Sequence, residues 1–271
     1  MPRERVLIAV KTYPALSGKY RELACTAGFR EDGSWIRLYP IPFRLLEGDK
    51  QYKKYQWIEA DIERNKADPR PESYKVNRDT ISIQEEVSRE RNWEARKRLI
   101  LDKAEIKTDL SELISDAHND TRSLAVFKPT SIDKFRVKKA PQKDSGAKLK
   151  AVLDSFKQAN LFEDESEEFI AMPELPYRFY YEFRDEKGKS STLMIEDWEI
   201  GQLYLNCVKK YGEQEALEKV EQRYMEEFTT KKDLYLFLGT TYKWHIRKAR
   251  NPFVIIGVFY PPIEKQDSFI L

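Results

Sequence analysis

Cysteine and histidine are scarce: Cys25 and Cys207, His118 and His245 are all that 271 residues contain. None of the four is close to another in sequence, so a disulfide framework, a thiolate metal cage and a cysteine nucleophile with a local base all lack their pattern, and reduced, buried thiols in a cytoplasmic setting are expected. An excess of one charge is also missing. The 48 Lys and Arg nearly cancel the 46 Asp and Glu, and a net charge of +2 creates no global field of the kind that draws a protein to nucleic acid or to a membrane. Electrostatic attraction must therefore be local. Long apolar runs are absent: Val6 to Val10 is too short for a signal core or a membrane span, and no membrane partner is expected. Finally, Ser17-Gly-Lys19 lacks the upstream Gly of a phosphate-binding loop and has Tyr20 where that loop needs Ser or Thr.

Aromatic residues, by contrast, make up 13% of the chain, and hydrophobic residues 41%, enough to bury a core. Val6 to Lys11 reads as a buried strand. Arg21 to Phe29 and Trp35 to Ile41 read as a hairpin around Glu31-Asp-Gly33, with Pro40 and Pro42 ending the ladder, and Tyr52 to Ile62 as a further strand closed by Asp68-Pro-Arg-Pro-Glu72. Charged residues with spaced Val87, Trp93, Leu99 and Ile100 predict a helix from Glu85 to about Asp102, and Asp109 caps a second helix to His118. Strands at 123–128 and 131–137 complete an N-terminal β-rich unit, residues 1–140. Residues 141–168 read as a linker and connecting helix. A C-terminal β-rich unit, 169–271, follows, with a hairpin at Tyr177 to Arg184 and Ser190 to Ile195, two helices meeting at Gly212, and apolar strands at Asp233 to Leu238 and Phe253 to Tyr260. Leu203, Val208, Leu217, Val220 and Tyr224 are the core positions of those helices.

Two basic aromatic stretches carry the functional signal. Tyr242-Lys-Trp-His-Ile-Arg-Lys-Ala-Arg250 holds four fixed positive charges, a Tyr and a Trp in nine residues, with no acid between Asp233 and Glu264. Cations that follow phosphates, interleaved with rings that stack on bases, are what single-stranded nucleic acid requires. The second set is Arg30, Trp35, Arg37, Tyr39, Arg44, Lys53 and Lys54. Strand alternation puts Trp35, Arg37 and Tyr39 on one face and Ile36 and Leu38 on the other. A solvated helix face at 242–250 and a minor core around Trp35 and Tyr39 are the plainer alternatives. Carboxylate fragments of a metal nuclease, Glu59-Ala-Asp61 and Glu105-Ile-Lys107, are short enough to arise by chance among 46 acids.

Cys25-Thr-Ala-Gly28 followed by Trp35-Ile-Arg37-Leu-Tyr-Pro40 resembles the opening of bacterial proteins that carry a dual OB-containing domain, over about residues 6–42. The resemblance implies two OB-like barrels and a nucleic-acid or nucleotide-binding role in bacterial or phage conflict systems, with the hairpin bearing Arg30, Trp35, Arg37 and Tyr39 as the contact face. Taken with the residues, this gives an α+β chain of two β-rich, OB-like barrel domains with inserted helices. The expected function is non-catalytic binding of single-stranded DNA or RNA: Trp35 and Trp244 stack on bases, and Arg37, Arg44, Lys53, Lys54, Lys243, Arg247 and Arg250 meet phosphates. No cofactor or metal is implied. Two rivals remain: a metal-dependent nuclease or nucleotide-processing enzyme, and a module that docks a protein partner through the acidic segment 161–200, where 12 Asp and Glu face 4 Lys and Arg.

Overall fold

Alternate residues of the first apolar run part to two sides, as a strand requires: Val6 and Ile8 join one hydrophobic cluster, Leu7 and Ala9 another. A computed structural model describes residues 1–17, 21–141 and 172–263. In it β1 (Arg3–Lys11), β2 (Ala15–Ser17), β3 (Arg21–Phe29) and β4 (Trp35–Ile41) are followed by β5 (Gln56–Arg64), β6 (Ser73–Val76) and β7 (Ser82–Glu86). Strands β1, β3, β4, β6 and β5 are neighbours in that order, and β1 also pairs with β5, which closes a five-stranded barrel. The β4–β6 pair is parallel and the other four are antiparallel. Val6, Ile8, Ala24, Ile36, Leu38, Ile58, Ala60 and Ile62 fill the barrel. At Gly28 the backbones of β1 and β3 come so close that a Cβ would lie 2.0 Å from the Leu7 carbonyl oxygen, so a larger residue has no place there. β4 passes through Pro40 to Ile41 rather than stopping before it.

The helix expected from Glu85 is shorter. β7 runs to Glu86, and α1 (Glu90–Ile100) opens with Arg91, Asn92 and Trp93 in the left-handed region. After it come β8 (Ile106–Lys107), α2 (Leu110–His118), β9 (Leu124–Phe127), β10 (Ser131–Lys139), β11 (Tyr177–Arg184), β12 (Ser190–Ile195), α3 (Trp198–Tyr211), α4 (Glu213–Glu221), β13 (Tyr235–Thr240), α5 (Tyr242–Ile246) and β14 (Phe253–Phe259). Strands β8 to β14 form one seven-stranded sheet in the order β10-β11-β12-β14-β13-β9-β8.

This corrects two expectations. The C-terminal unit is an open sheet, not a second barrel, and the strands at 124–127 and 131–139, assigned above to the unit ending at 140, pair with β13 and β11 of this sheet. Their local sequence specifies a strand but not its partner, which lies far along the chain. The connecting helix expected at 147–161 and the acidic run at 163–168 fall outside the described residues.

Alternation along β13 and β14 builds three layers. Leu236, Leu238, Phe253 and Ile255 point to a cluster shared with α2, α3 and α4. Phe237, Val254, Ile256 and Phe259 point to the other face, against Leu7, Phe29, Trp35 and Trp57 from the outside of the barrel. A sheet covered on both sides needs near-continuous apolar strands, which is why these two read as unbroken hydrophobic runs. A bulge between Phe237 and Leu238 shifts the β13–β14 register. Of the expected helix core, Val220 and Tyr224 are buried, and Leu203, Val208 and Leu217 pack against them.

Candidate nucleic-acid interface

The loop after β5 crosses to the second sheet on a network of buried polar groups. Arg70 grips Asp68 with two nitrogens, Nε to Oδ1 at 2.9 Å and Nη2 to Oδ2 at 2.6 Å, and its Nη1 donates to the Thr240 carbonyl at 2.8 Å. Ser73 also donates to Asp68, at 2.7 Å. Burial alone would raise the Asp68 pKa, but these bonds hold it below the ordinary carboxylate range. Arg37, on the outer face of β4, is 1% exposed and donates to Ser123 Oγ at 2.7 Å and to the Ser123 carbonyl at 3.3 Å. Glu72 accepts from the Ser123 amide and hydroxyl. Between these groups and β13–β14 lies a cavity of about 520 Å³ lined by Tyr39, Asn65, Thr240, Tyr242, Val254 and Ile256 among others.

α5 sits at the mouth of this cavity. It turns His245 inward, 1% exposed, with Nε2 2.9 Å from Asp120 Oδ1, while Lys248 donates to the same oxygen at 2.5 Å. His118 Nε2 lies 2.9 Å from the Ala249 carbonyl oxygen. Burial lowers the His245 pKa despite Asp120, so the ring stays neutral at pH 7. The outward side is unusually apolar for a surface: Tyr242 is 48% exposed and Trp244 44%. Lys243 Nζ lies 4.9 Å from the centre of the Trp244 ring and the Arg247 guanidinium 5.9 Å from it. Lys243, Arg247 and Arg250 are exposed. Tyr242 joins patch to cavity, its hydroxyl 3.5 Å from the Ala67 carbonyl and its ring 5.5 Å from the Arg70 guanidinium.

The N-terminal set is placed differently. Trp35, Arg37 and Tyr39 do share one face of β4, but that face meets the second sheet, with Trp35 and Arg37 buried and Tyr39 half-buried in the cavity wall. Trp35 is 8% exposed, with its ring 4.0 Å from Phe29 and 5.4 Å from Phe237, so it cannot stack on a base as expected. Arg37 is likewise withheld from phosphates. Arg30 pairs with Glu4 at 3.2 Å, Arg44 with Glu22 at 2.8 Å and Lys53 with Glu86 at 3.5 Å.

Lys54 is buried between the two units, 3.4 Å from Asp197 and 3.0 Å from Glu199. Burial, only partly offset by Lys54, pushes Asp197 up to about 6. Lys11, half-buried beside them, is drawn down to about 8 by desolvation although Glu199 pulls the other way. The nuclease fragments are also paired with cations: Glu59 and Asp61 with Arg3, Glu105 with Lys107 and Arg122. No cluster of three metal-binding side chains occurs among the described residues, and no described helix is long and apolar enough to cross a membrane.

Arg70, Asp68, Thr240 and Thr241 were missed by sequence reasoning, which treated 68–72 as punctuation after a strand. The available signal was a polar Thr pair closing an otherwise apolar strand. Residues 2–102 match the family described as Domain of unknown function (DUF8758), and residues 106–270 the family described as Domain of unknown function (DUF8757). The break between the two falls where the chain leaves α1 for the second sheet. No curated protein matches the chain.

Proposed function

Because the chain belongs to the DUF8757 family, matched over more than half its length, and neither domain description names an activity, we propose from the geometry that it binds single-stranded nucleic acid along α5 and the turn to Arg250. One observation carries this reading: Trp244 is an exposed ring flanked by the exposed cations Lys243 and Arg247. A ring of this kind stacks on any base, while the cations track the backbone. The barrel's closed order, β1-β3-β4-β6-β5, with its parallel β4–β6 pair, supports an OB-like reading of the N-terminal unit. The usual contact face of such a barrel is covered here by the second sheet, so the contact moves to a neighbouring element at its rim.

Anisotropy of labelled 12-nucleotide DNA and RNA at several salt concentrations tests the reading. With three exposed cations available, Lys243, Arg247 and Arg250, log K should fall against log salt with a slope of about −2. Trp244→Ala should weaken binding by about 1–3 kcal/mol, the range of one stacked base. Salt-independent binding, or an unchanged affinity in Trp244→Ala, sinks the reading.

A further inference from the structure

Glu196 directly follows β12 and is pinned by its backbone where the two units meet: its amide donates to the Ile255 carbonyl of β14, and its carbonyl accepts from Tyr13 in the loop after β1. Strand alternation decides where its side chain goes. Leu193 and Ile195 face the helices and Met194 faces the barrel, so Glu196, in step with Met194, turns toward the barrel and lines the cavity of about 520 Å³. There the half-buried carboxylate has no side-chain hydrogen bond and no ion pair among the described residues. Burial raises its pKa, and Arg178 opposes this without coming within ion-pairing distance.

A second group of the same wall is unmatched. Asn65 is 8% exposed and fixed by its backbone, its amide donating to the Ser73 carbonyl and its carbonyl accepting from Asp68. Its Oδ1 accepts from the Ala67 amide at 3.3 Å, which sets the orientation of the carboxamide and makes Nδ2 the free end. That nitrogen has no partner among the described residues, yet it is not sealed off and belongs to a residue of the cavity wall.

The other charges around the cavity balance one another. Arg70 is paired with Asp68, and Arg37 donates to Ser123, whose hydroxyl donates to Glu72. Two guanidiniums thus meet two carboxylates, and the charge of Glu196 remains. A carboxylate withdrawn from water is costly unless a cation accompanies it. Val254 and Ile256 add an apolar wall, and the volume lies in the range of about 300–1,000 Å³ found for small-ligand pockets.

We propose that this cleft binds a small organic cation, its ammonium or guanidinium paired with Glu196, its aliphatic stem along Val254 and Ile256, and an oxygen of the same molecule accepting from Asn65 Nδ2. The proposal does not depend on strand binding by α5, which uses other residues.

The test titrates the full chain with ω-amino amides whose stems run from two to six carbons, observed by saturation-transfer NMR. Amides of the same length without the amine, and amines without the amide, are the controls. Glu196→Gln removes the charge at nearly constant shape, and Val254→Trp fills the cavity from its apolar wall; thermal melting checks that each variant folds. At least one amino amide is expected to bind and to raise the melting temperature, with its simple amine at least threefold weaker and its simple amide at least tenfold weaker. Both variants should weaken the amino amide at least tenfold while the 12-mer affinity stays unchanged. Binding that is equal in wild type and Glu196→Gln, or a simple amide that binds as tightly as the amino amide, overturns the cation site. A simple amine as tight as the amino amide overturns the part assigned to Asn65. Failure of every amino amide to bind the folded wild type overturns the whole proposal.

Discussion

At the scale of single residues, the Lys54 ammonium faces two carboxylates in unequal surroundings. Asp197 is 1% exposed and Glu199 42%, so the buried carboxylate is the one whose pKa burial raises, while against burial Lys54 holds that of Glu199 below its ordinary value. Breaking a buried pair by removing one partner leaves the other charge uncompensated. Lys54→Met should lower the unfolding free energy by about 3–5 kcal/mol at pH 7. The sign with pH follows from linkage. Asp197 in the folded protein titrates near 6, above its unfolded value of about 3.9, so the folded state takes up a proton first and this residue favours folding increasingly as pH falls from above 6 toward 4. The deficit of Lys54→Met should therefore shrink at pH 5, where Asp197 can discharge by protonation. Urea unfolding of both proteins at pH 7 and pH 5 measures this; an equal deficit at the two pH values contradicts it.

At the scale of elements, α5 is a five-residue helix, too short to persist alone, and is held by its anchors and not by its own hydrogen bonds. Asp120 is the common anchor, accepting from His245 and Lys248. Asp120→Ala should leave the buried His245 Nε2 without its partner, a loss of about 1–3 kcal/mol. Amide protection should fall at 242–250 while β1 and β5 keep theirs, as read by hydrogen exchange. Acid acts in the same direction. The pKa of His245 is depressed in the fold, so the unfolded chain binds a proton first as pH drops through about 6.5, and the stability that the neutral ring contributes is lost from there downward. The exposure of this element was legible in the sequence because nine residues with four cations and no acid cannot all be buried. Its inward anchors were not, since Asp120 and His118 belong to a distant helix end. β4 shows the opposite balance: the alternation of Trp35, Arg37 and Tyr39 was legible, but which face meets water was set by Ser123 and Phe237, partners the local pattern does not name.

At the scale of the whole molecule, the barrel and the helices bury opposite faces of one sheet, so neither covering layer is optional. Trp35, packed between Phe29 of the barrel and Phe237 of the sheet, is one of two buried tryptophans that the barrel brings to that contact. Trp35→Ala should lower stability by about 3–5 kcal/mol and keep a single calorimetric transition, because both units depend on the same interface. A separate early transition for the barrel is the contrary result. The units were legible as two β-rich halves from the turn residues and apolar runs; the open sheet and its claim on 106–139 were not, because long-range pairing leaves no trace in local periodicity. The two-sided sheet has one more effect. Phe253 to Phe259 contains no charged residue, and neither does Leu234 to Gly239, so neither run has an internal gatekeeper against cross-β association before the barrel docks. The cations between them, Lys243, Arg247, Lys248 and Arg250, supply that protection from the connecting segment. The exposed cations of this segment thereby oppose association between copies of the chain while β13 and β14 of each copy find one another.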